Sequence, residues 1–210
     1  ATAARNIVIR NILTGVVIKT FDERTANAVC YSPDGKHIGV ATEDNLTVVL
    51  DIEDGKVQKK FKHQNSVRTV SYSPDGSFLA AGGDGKRLVL WELKAGKTVS
   101  SFNLDDDVCE VLYSPTGTML AAADNSGKYV VRETNFEDDQ GQIVVEGKIE
   151  SCYGVALAWS LDGNMLAIGG GTKLKGKVII HRFQEGKPTK GKNVTPPELG
   201  HVTSLVFSSD

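Results

Sequence analysis

Cysteine, methionine and tryptophan are scarce in this chain: three, two and two residues in 210. Cys30, Cys109 and Cys152 are too few and too irregularly spaced for a disulfide scaffold, which points to a reducing, intracellular and cytoplasmic setting. No run of 18 apolar residues exists, so no membrane-spanning helix is expected. The first residues, ATAARNIVIRN, lack the charged start and long apolar stretch of a secretory signal. Neither sign of charge dominates: 24 Lys and Arg face 26 Asp and Glu, a net charge of −2, which argues against a protein that coats polyanions. No Cys or His pair has metal-ligand spacing, and His37, His63, His181 and His201 fall in different segments. Gly169–Gly171 leads into TKLKGK without the GKS or GKT of a phosphate cradle. No cofactor is therefore expected.

What the chain has is glycine, 22 residues, and repetition. YSPDG stands at Tyr31–Gly35 and Tyr72–Gly76, YSPTG at Tyr113–Gly117, WSLDG at Trp159–Gly163, and FSSD at Phe207–Asp210. The serines Ser32, Ser73, Ser114, Ser160 and Ser208 are spaced 41, 41, 46 and 48 residues apart. A second marker, a glycine turn before a short strand, recurs at Gly15, Gly55, Gly96, Gly141 and Gly186 with spacings of 40, 41, 45 and 45. Within one unit SVRTVSY reads as an apolar strand, SPDG as a turn, FLAAGG as a small-residue strand near a crowded axis, RLVLWEL as a third strand and TVSSF as an outer strand. No sustained 3.6-residue period is present, so no significant helix is expected. Four short strands per unit and a shared period of this length predict an all-β propeller.

SPDG, the small-residue strand and Trp91-Glu92 resemble the blade pattern of the WD40-repeat family over nearly the whole chain. The resemblance implies a non-enzymatic scaffold that binds other proteins. There are departures. The Trp-Asp pair stands only as Trp91-Glu92, with Leu50-Asp51, Arg132-Glu133 and His181-Arg182 in the other units. The Gly-His element survives as Lys62-His63 and, three positions late, as Gly200-His201. The turn aspartate aligns at Asp44, lies one residue early at Asp84 and has no counterpart in GGGTKLKGK. The family's His–Ser–Trp–Asp hydrogen-bond network is therefore expected to be incomplete in every blade. The segment from Val155 to Phe207 also resembles, more loosely, blades of the actin-interacting protein 1 family of paired propellers.

The repeats divide the chain into about five blades, four complete (22–61, 62–102, 103–147 and 148–200) and one split between 1–21 and 201–210. Residues 1–20 supply two outer strands and 201–210 a first strand. Two readings fit: five blades closed by joining the ends, or a piece of a longer chain cut inside a blade at each end. The second is favoured by boundaries that fall inside repeats.

Inter-blade loops and second-to-third-strand turns share one face of a propeller. That face collects His63, Arg68, Asp105, Asp106, Asp107, Tyr153, Lys173, Lys175 and His201, the expected protein-binding residues. The opposite face, with Asp51, Glu53 and Asp54 and then Phe136 and Glu137–Asp139, reads as acidic and less specific. Lys173, Lys175, Lys177, Lys187, Lys190 and Lys192 form a basic stretch, but without an aromatic platform or base-reading Arg, nucleic acid or phosphoinositide contact is a minor alternative. A five-bladed glycosidase needs two or three carboxylates on the inner strands, and only Glu110 is available. A structural module within a larger assembly, including a cytoskeletal one, is the remaining alternative. The repeated turn serines are expected to be structural, Cys30 and Cys109 buried and inert, and Cys152 more exposed.

Overall fold

The computed structural model describes residues 7–21, 25–135, 141–150, 152, 154–184, 186–196 and 199–209. Among them every regular element is a β-strand. A two-stranded hairpin, β1 (Ile7–Arg10) and β2 (Val17–Phe21), precedes four antiparallel sheets. Blade 1 is β3 (Ala26–Tyr31), β4 (His37–Thr42), β5 (Leu46–Asp51) and β6 (Val57–Lys62). Blade 2 is β7 (Val67–Tyr72), β8 (Phe78–Gly83), β9 (Arg87–Glu92) and β10 (Lys97–Asn103). Blade 3 is β11 (Val108–Tyr113), β12 (Met119–Asp124), β13 (Lys128–Glu133) and β14 (Ile143–Lys148). Blade 4 is β15 (Val155–Trp159), β16 (Met165–Gly171), β17 (Gly176–Gln184) and the short β18 (Lys187–Pro188) and β19 (Lys192–Asn193), both paired with β17. The strands run in chain order in each sheet, and the inner strands β3, β7, β11 and β15 touch one another in sequence. This is a blade-based propeller.

The repeated SPDG-type turns have a backbone cause. Gly35, Gly76, Gly117 and Gly163 close the first turn of each blade at φ between 68° and 75°, a left-handed conformation that costs a side-chain-bearing residue free energy. The serines before them are structural. Ser73 Oγ accepts the Phe78 N–H at 2.9 Å and donates to Asp75 Oδ1 at 2.5 Å. Ser32 and Ser160 repeat the arrangement with Asp34 and Asp162, and Ser114 turns to Thr116 because YSPTG lacks the aspartate.

The core lies between blades. Ile7, Ile9 and Phe21 pack on Ile38, Val40, Val48 and Leu50 of blade 1. Phe61 and Val49 meet Val67, Val70, Leu79 and Trp91. Leu88, Leu90 and Phe102 meet Val108, Val111 and Leu120, and a fourth cluster joins blades 3 and 4. Alanine and glycine in the second strands allow this closeness: a Cβ on Gly82 would lie 2.8 Å from Val108 Cγ1. Inner strands also bond across seams. Thr69 and Ser71 hydroxyls accept the N–H groups of Val111 and Tyr113, both at 3.1 Å.

Two sequence expectations change. Residues 201–209 form no ladder, because no antiparallel partner strand lies beside them among the described residues. Val202 nonetheless packs on Gly169, the counterpart of Gly82, so the segment occupies an inner-strand position. Cys152 is buried rather than exposed: it sits against Gly170, donates to Gly154 O at 2.6 Å and accepts the Gly171 N–H at 3.1 Å. Cys30 and Cys109 are half-buried, and desolvation pushes their thiols up to about 12 and about 11, leaving them protonated and weakly nucleophilic.

Candidate functional site

Backbone bonds define the loop face. Asp84 N–H reaches Ser66 O at 2.9 Å, Leu104 N–H reaches Lys86 O at 2.9 Å, Asn125 N–H reaches Asp107 O at 3.0 Å and Ile149 N–H reaches Gly127 O at 2.9 Å. Each inter-blade loop is thus tied to a β-turn, and the turn between β8 and β9 has both Gly85 and Lys86 at positive φ, the geometry of a tight hairpin.

The structure joins four of the expected residues into one network. Arg68, on β7, donates through Nε to Asp84 Oδ1, and its Nη2 lies 4.0 Å from Asp107 Oδ2. Asp107 Oδ1 accepts the Gly85 N–H at 2.9 Å. Asp106 Oδ1 accepts the Asp107 N–H at 2.9 Å. Asp105 accepts Lys128 Nζ on its carboxylate at 3.0 Å and Lys86 Nζ on its carbonyl at 2.7 Å.

Sequence reasoning missed the hub of this network, Asp124. Its buried carboxylate accepts the N–H groups of Asp105 and Asp106 at 3.1 and 3.0 Å on one oxygen. The other oxygen accepts Ser126 N–H, Ser126 Oγ and Lys128 N–H at 2.9, 2.8 and 3.1 Å. The signal was there in ADNSGK, an aspartate opening a polar turn before a strand. Satisfying a buried carboxylate with several donors is what makes its burial tolerable.

The other expected residues are separate. His63 turns inward: its Nε2 lies 2.9 Å from Thr47 Oγ1, its ring sits edge-on to Trp91 at 4.9 Å, and burial depresses its pKa to about 4. Asp84, one residue early, pairs with Arg68, while His63 turns to Thr47. His201 is half-buried with Nδ1 2.7 Å from Gly171 O. Lys173 and Lys175 stand exposed in the turn between β16 and β17, flanking Leu174, which is 94% exposed. Beside them a 720 Å³ groove is lined by Ile149, Glu150, Lys177, Pro196 and Leu199, among others. Tyr153 lies outside the described residues, as do Phe136 and Glu137–Asp139 on the opposite face.

Glu110, the one carboxylate on the inner strands, accepts the Leu157 N–H at 2.6 Å across the seam from blade 3 to blade 4. Burial raises its pKa to about 7 against that hydrogen bond. Its role here is to bridge two strands. Among the described residues no cluster of three His, Cys, Asp or Glu could hold a metal ion, and no helix is long and apolar enough to cross a membrane.

A family model described as "WD domain, G-beta repeat" matches residues 55–92, the span from the Gly55 turn through Trp91-Glu92. The Cps50 (Swd1) β-propeller domain of Myceliophteria thermophila superposes with a TM-score of 0.68 at 19% identity over 86% of this chain. Residues 55–92 thus match a WD40 repeat, and the fold is that of a blade-based β-propeller. The chain spans 58% of that propeller domain, and at this identity the likeness speaks for fold. No curated protein matches. WD40 repeats are a structural family rather than a catalytic one, and no enzyme family is indicated.

Proposed function

We propose that this WD40 chain is a non-enzymatic, cytoplasmic protein-interaction scaffold that binds its partner through the loop face, with Lys173, Leu174 and Lys175 at the contact. The observation that carries the reading is the contrast on that face. Arg68 and Asp105–Asp107 are engaged within the molecule, whereas the β16–β17 turn holds out a fully exposed leucine between two lysines that have no ion-pair partner among the described residues. An apolar anchor rimmed by charge beside a groove is an arrangement suited to partner recognition.

The test is cross-linking from the Lys173 and Lys175 amines with mass-spectrometric mapping, repeated with Lys173→Glu/Lys175→Glu. Partner cross-links at these amines, and loss of binding in the variant at an unchanged melting temperature, are expected. Binding that survives the charge reversal overturns the placement.

A second reading, a structural module within a larger assembly, is supported by the open side of blade 1. Val29 and Tyr31 of β3 are 51% and 58% exposed, where the equivalent Val70 and Tyr72 of β7 are covered by blade 1. An uncovered inner-strand face of this kind suits permanent packing against a neighbour.

A further inference from the structure

On the face opposite the loops, the seam between blades 1 and 2 opens into a cavity of 680 Å³. The same place between blades 2 and 3 encloses 360 Å³. Strand register identifies the cause. His37 pairs with Asp51 as Phe78 pairs with Glu92, so His37 stands where blade 2 has Phe78. Gln58 is the bulged residue opposite Val49 and Leu50, as Val99 is the bulged residue opposite Leu90 and Trp91. Phe78 and Val99 pack against the core between blades 2 and 3; His37 and Gln58 instead line the cavity. In blade 3 the same positions hold apolar Met119 and Val144, both packed in the core between blades 3 and 4. Blade 1 alone among these three has exchanged its plugs for polar residues.

The cavity has an apolar floor and donors on its walls. Pro33, Val49, Leu93 and the Tyr72 ring form the floor. Tyr72 is only 9% exposed, and its hydroxyl has no hydrogen-bond partner. Lys59 and Lys94 also line the cavity, and neither amine is paired among the described residues. The carboxylates at the rim are already engaged: Asp34 Oδ1 accepts Ser32 Oγ at 2.5 Å and Lys36 N–H at 3.0 Å, and Asp75 Oδ1 accepts Ser73 Oγ at 2.5 Å and Ser77 N–H at 3.0 Å. His37 leans towards Asp34 and Asp51 at 3.8 and 3.9 Å. Among the unspent groups are a buried hydroxyl and two ammonium groups, and an unmet buried donor favours a ligand that brings an acceptor. The volume suits a small ligand or one side chain with its chain end.

We propose that this seam is a binding site for an apolar carboxylate, with the aromatic or branched body on Tyr72, Val49 and Leu93 and the carboxylate taken by the Tyr72 hydroxyl and Lys59 or Lys94. Free acids and the C-terminal carboxylate of a peptide ending in an apolar residue share this chemistry. The site is on the opposite face from the proposed partner contact and independent of it.

The test is a ligand-observed NMR titration of the 210-residue chain with 4-phenylbutyrate, 4-phenylbutyramide and 4-phenylbutylamine, and with a Gly-Gly-Phe peptide bearing a free or an amidated C-terminus. The expected order is anion over amide over amine. Tyr72→Phe, which keeps the ring, and Lys59→Met should each weaken anion binding about tenfold, the scale of one charge-assisted hydrogen bond. His37→Phe/Gln58→Val, the blade 2 plugs, should abolish it. Tighter binding of the free-acid peptide than of phenylbutyrate assigns the site to chain ends, and the reverse assigns it to small acids. Equal binding of all three phenylbutyl compounds, no binding by any carboxylate probe, or binding unchanged in the plugged variant overturns the proposal.

Discussion

The seams on either side of blade 2 share one plan and differ in the residues that plug them. His37, Gln58 and Lys59 stand on one side where Phe78, Val99 and Ser100 stand on the other. Strand ladders and turn glycines are the same in both, so the backbone does not distinguish them. In a repeat protein each blade is a control for its neighbours, and a polar residue at a position that other blades fill with Phe, Met or Val is a departure with a physical consequence. Here the consequence is a cavity of roughly twice the volume, 680 against 360 Å³.

The comparison breaks most visibly if the filled seam is opened. Phe78→His/Val99→Gln should cost about 3 kcal/mol, since both side chains pack on the core and their polar replacements gain no partner. Denaturant midpoints measure this, and a cost below about 1 kcal/mol would show that the plugs do not seal the seam. Asp124→Ala should cost about 2–3 kcal/mol, because it strips the acceptor from four N–H groups and the Ser126 hydroxyl where the blade 3 turn meets the 105–107 loop. Hydrogen exchange of the Asp105 and Asp106 amides should rise with it. Filling the open seam with His37→Phe/Gln58→Val should raise stability by about 1 kcal/mol, a gain typical of cavity filling.

The smallest effects are in pH. Burial raises Glu110 from 4.5 to about 7, so between these values the folded chain holds a proton the unfolded chain has released. Its contribution to stability therefore falls as pH rises from about 4.5 to about 7. Burial lowers His63 from 6.5 to about 4, so between these values the unfolded chain holds the extra proton, and stability falls as pH drops from about 6.5 to about 4. The two slopes oppose each other. Glu110→Gln should steepen the loss of stability towards acid pH and His63→Gln should flatten it, read from denaturant midpoints between pH 4 and 7; parallel profiles for the two variants would contradict the assignment.

The propeller was legible because its markers are demanded by the backbone. Gly35, Gly76, Gly117 and Gly163 need a left-handed turn, and Ser32, Ser73 and Ser160 close it, so both series survive where other residues drift. The exposed lysines were legible too, since a lengthened turn shows as a longer period. Asp124 and Cys152 were not weighed correctly, because the groups that surround them come from other strands: the Asp105 and Asp106 N–H groups for one, Gly170 and the Gly171 N–H for the other. The charge count on the opposite face also misled. It registered Asp51 and Asp54 but not that Lys59 and Lys94 converge where two plugs are lost. A cavity made by polar residues in apolar places has no motif, and only register between blades reveals it.

The loop-face account is tested most directly by quantitative partner binding with two charge reversals compared side by side: Lys173→Glu/Lys175→Glu on the loop face and Lys94→Glu on the opposite face. The account predicts that the first loses the partner and the second keeps it, with equal melting temperatures. A partner kept by the first and lost by the second would contradict it.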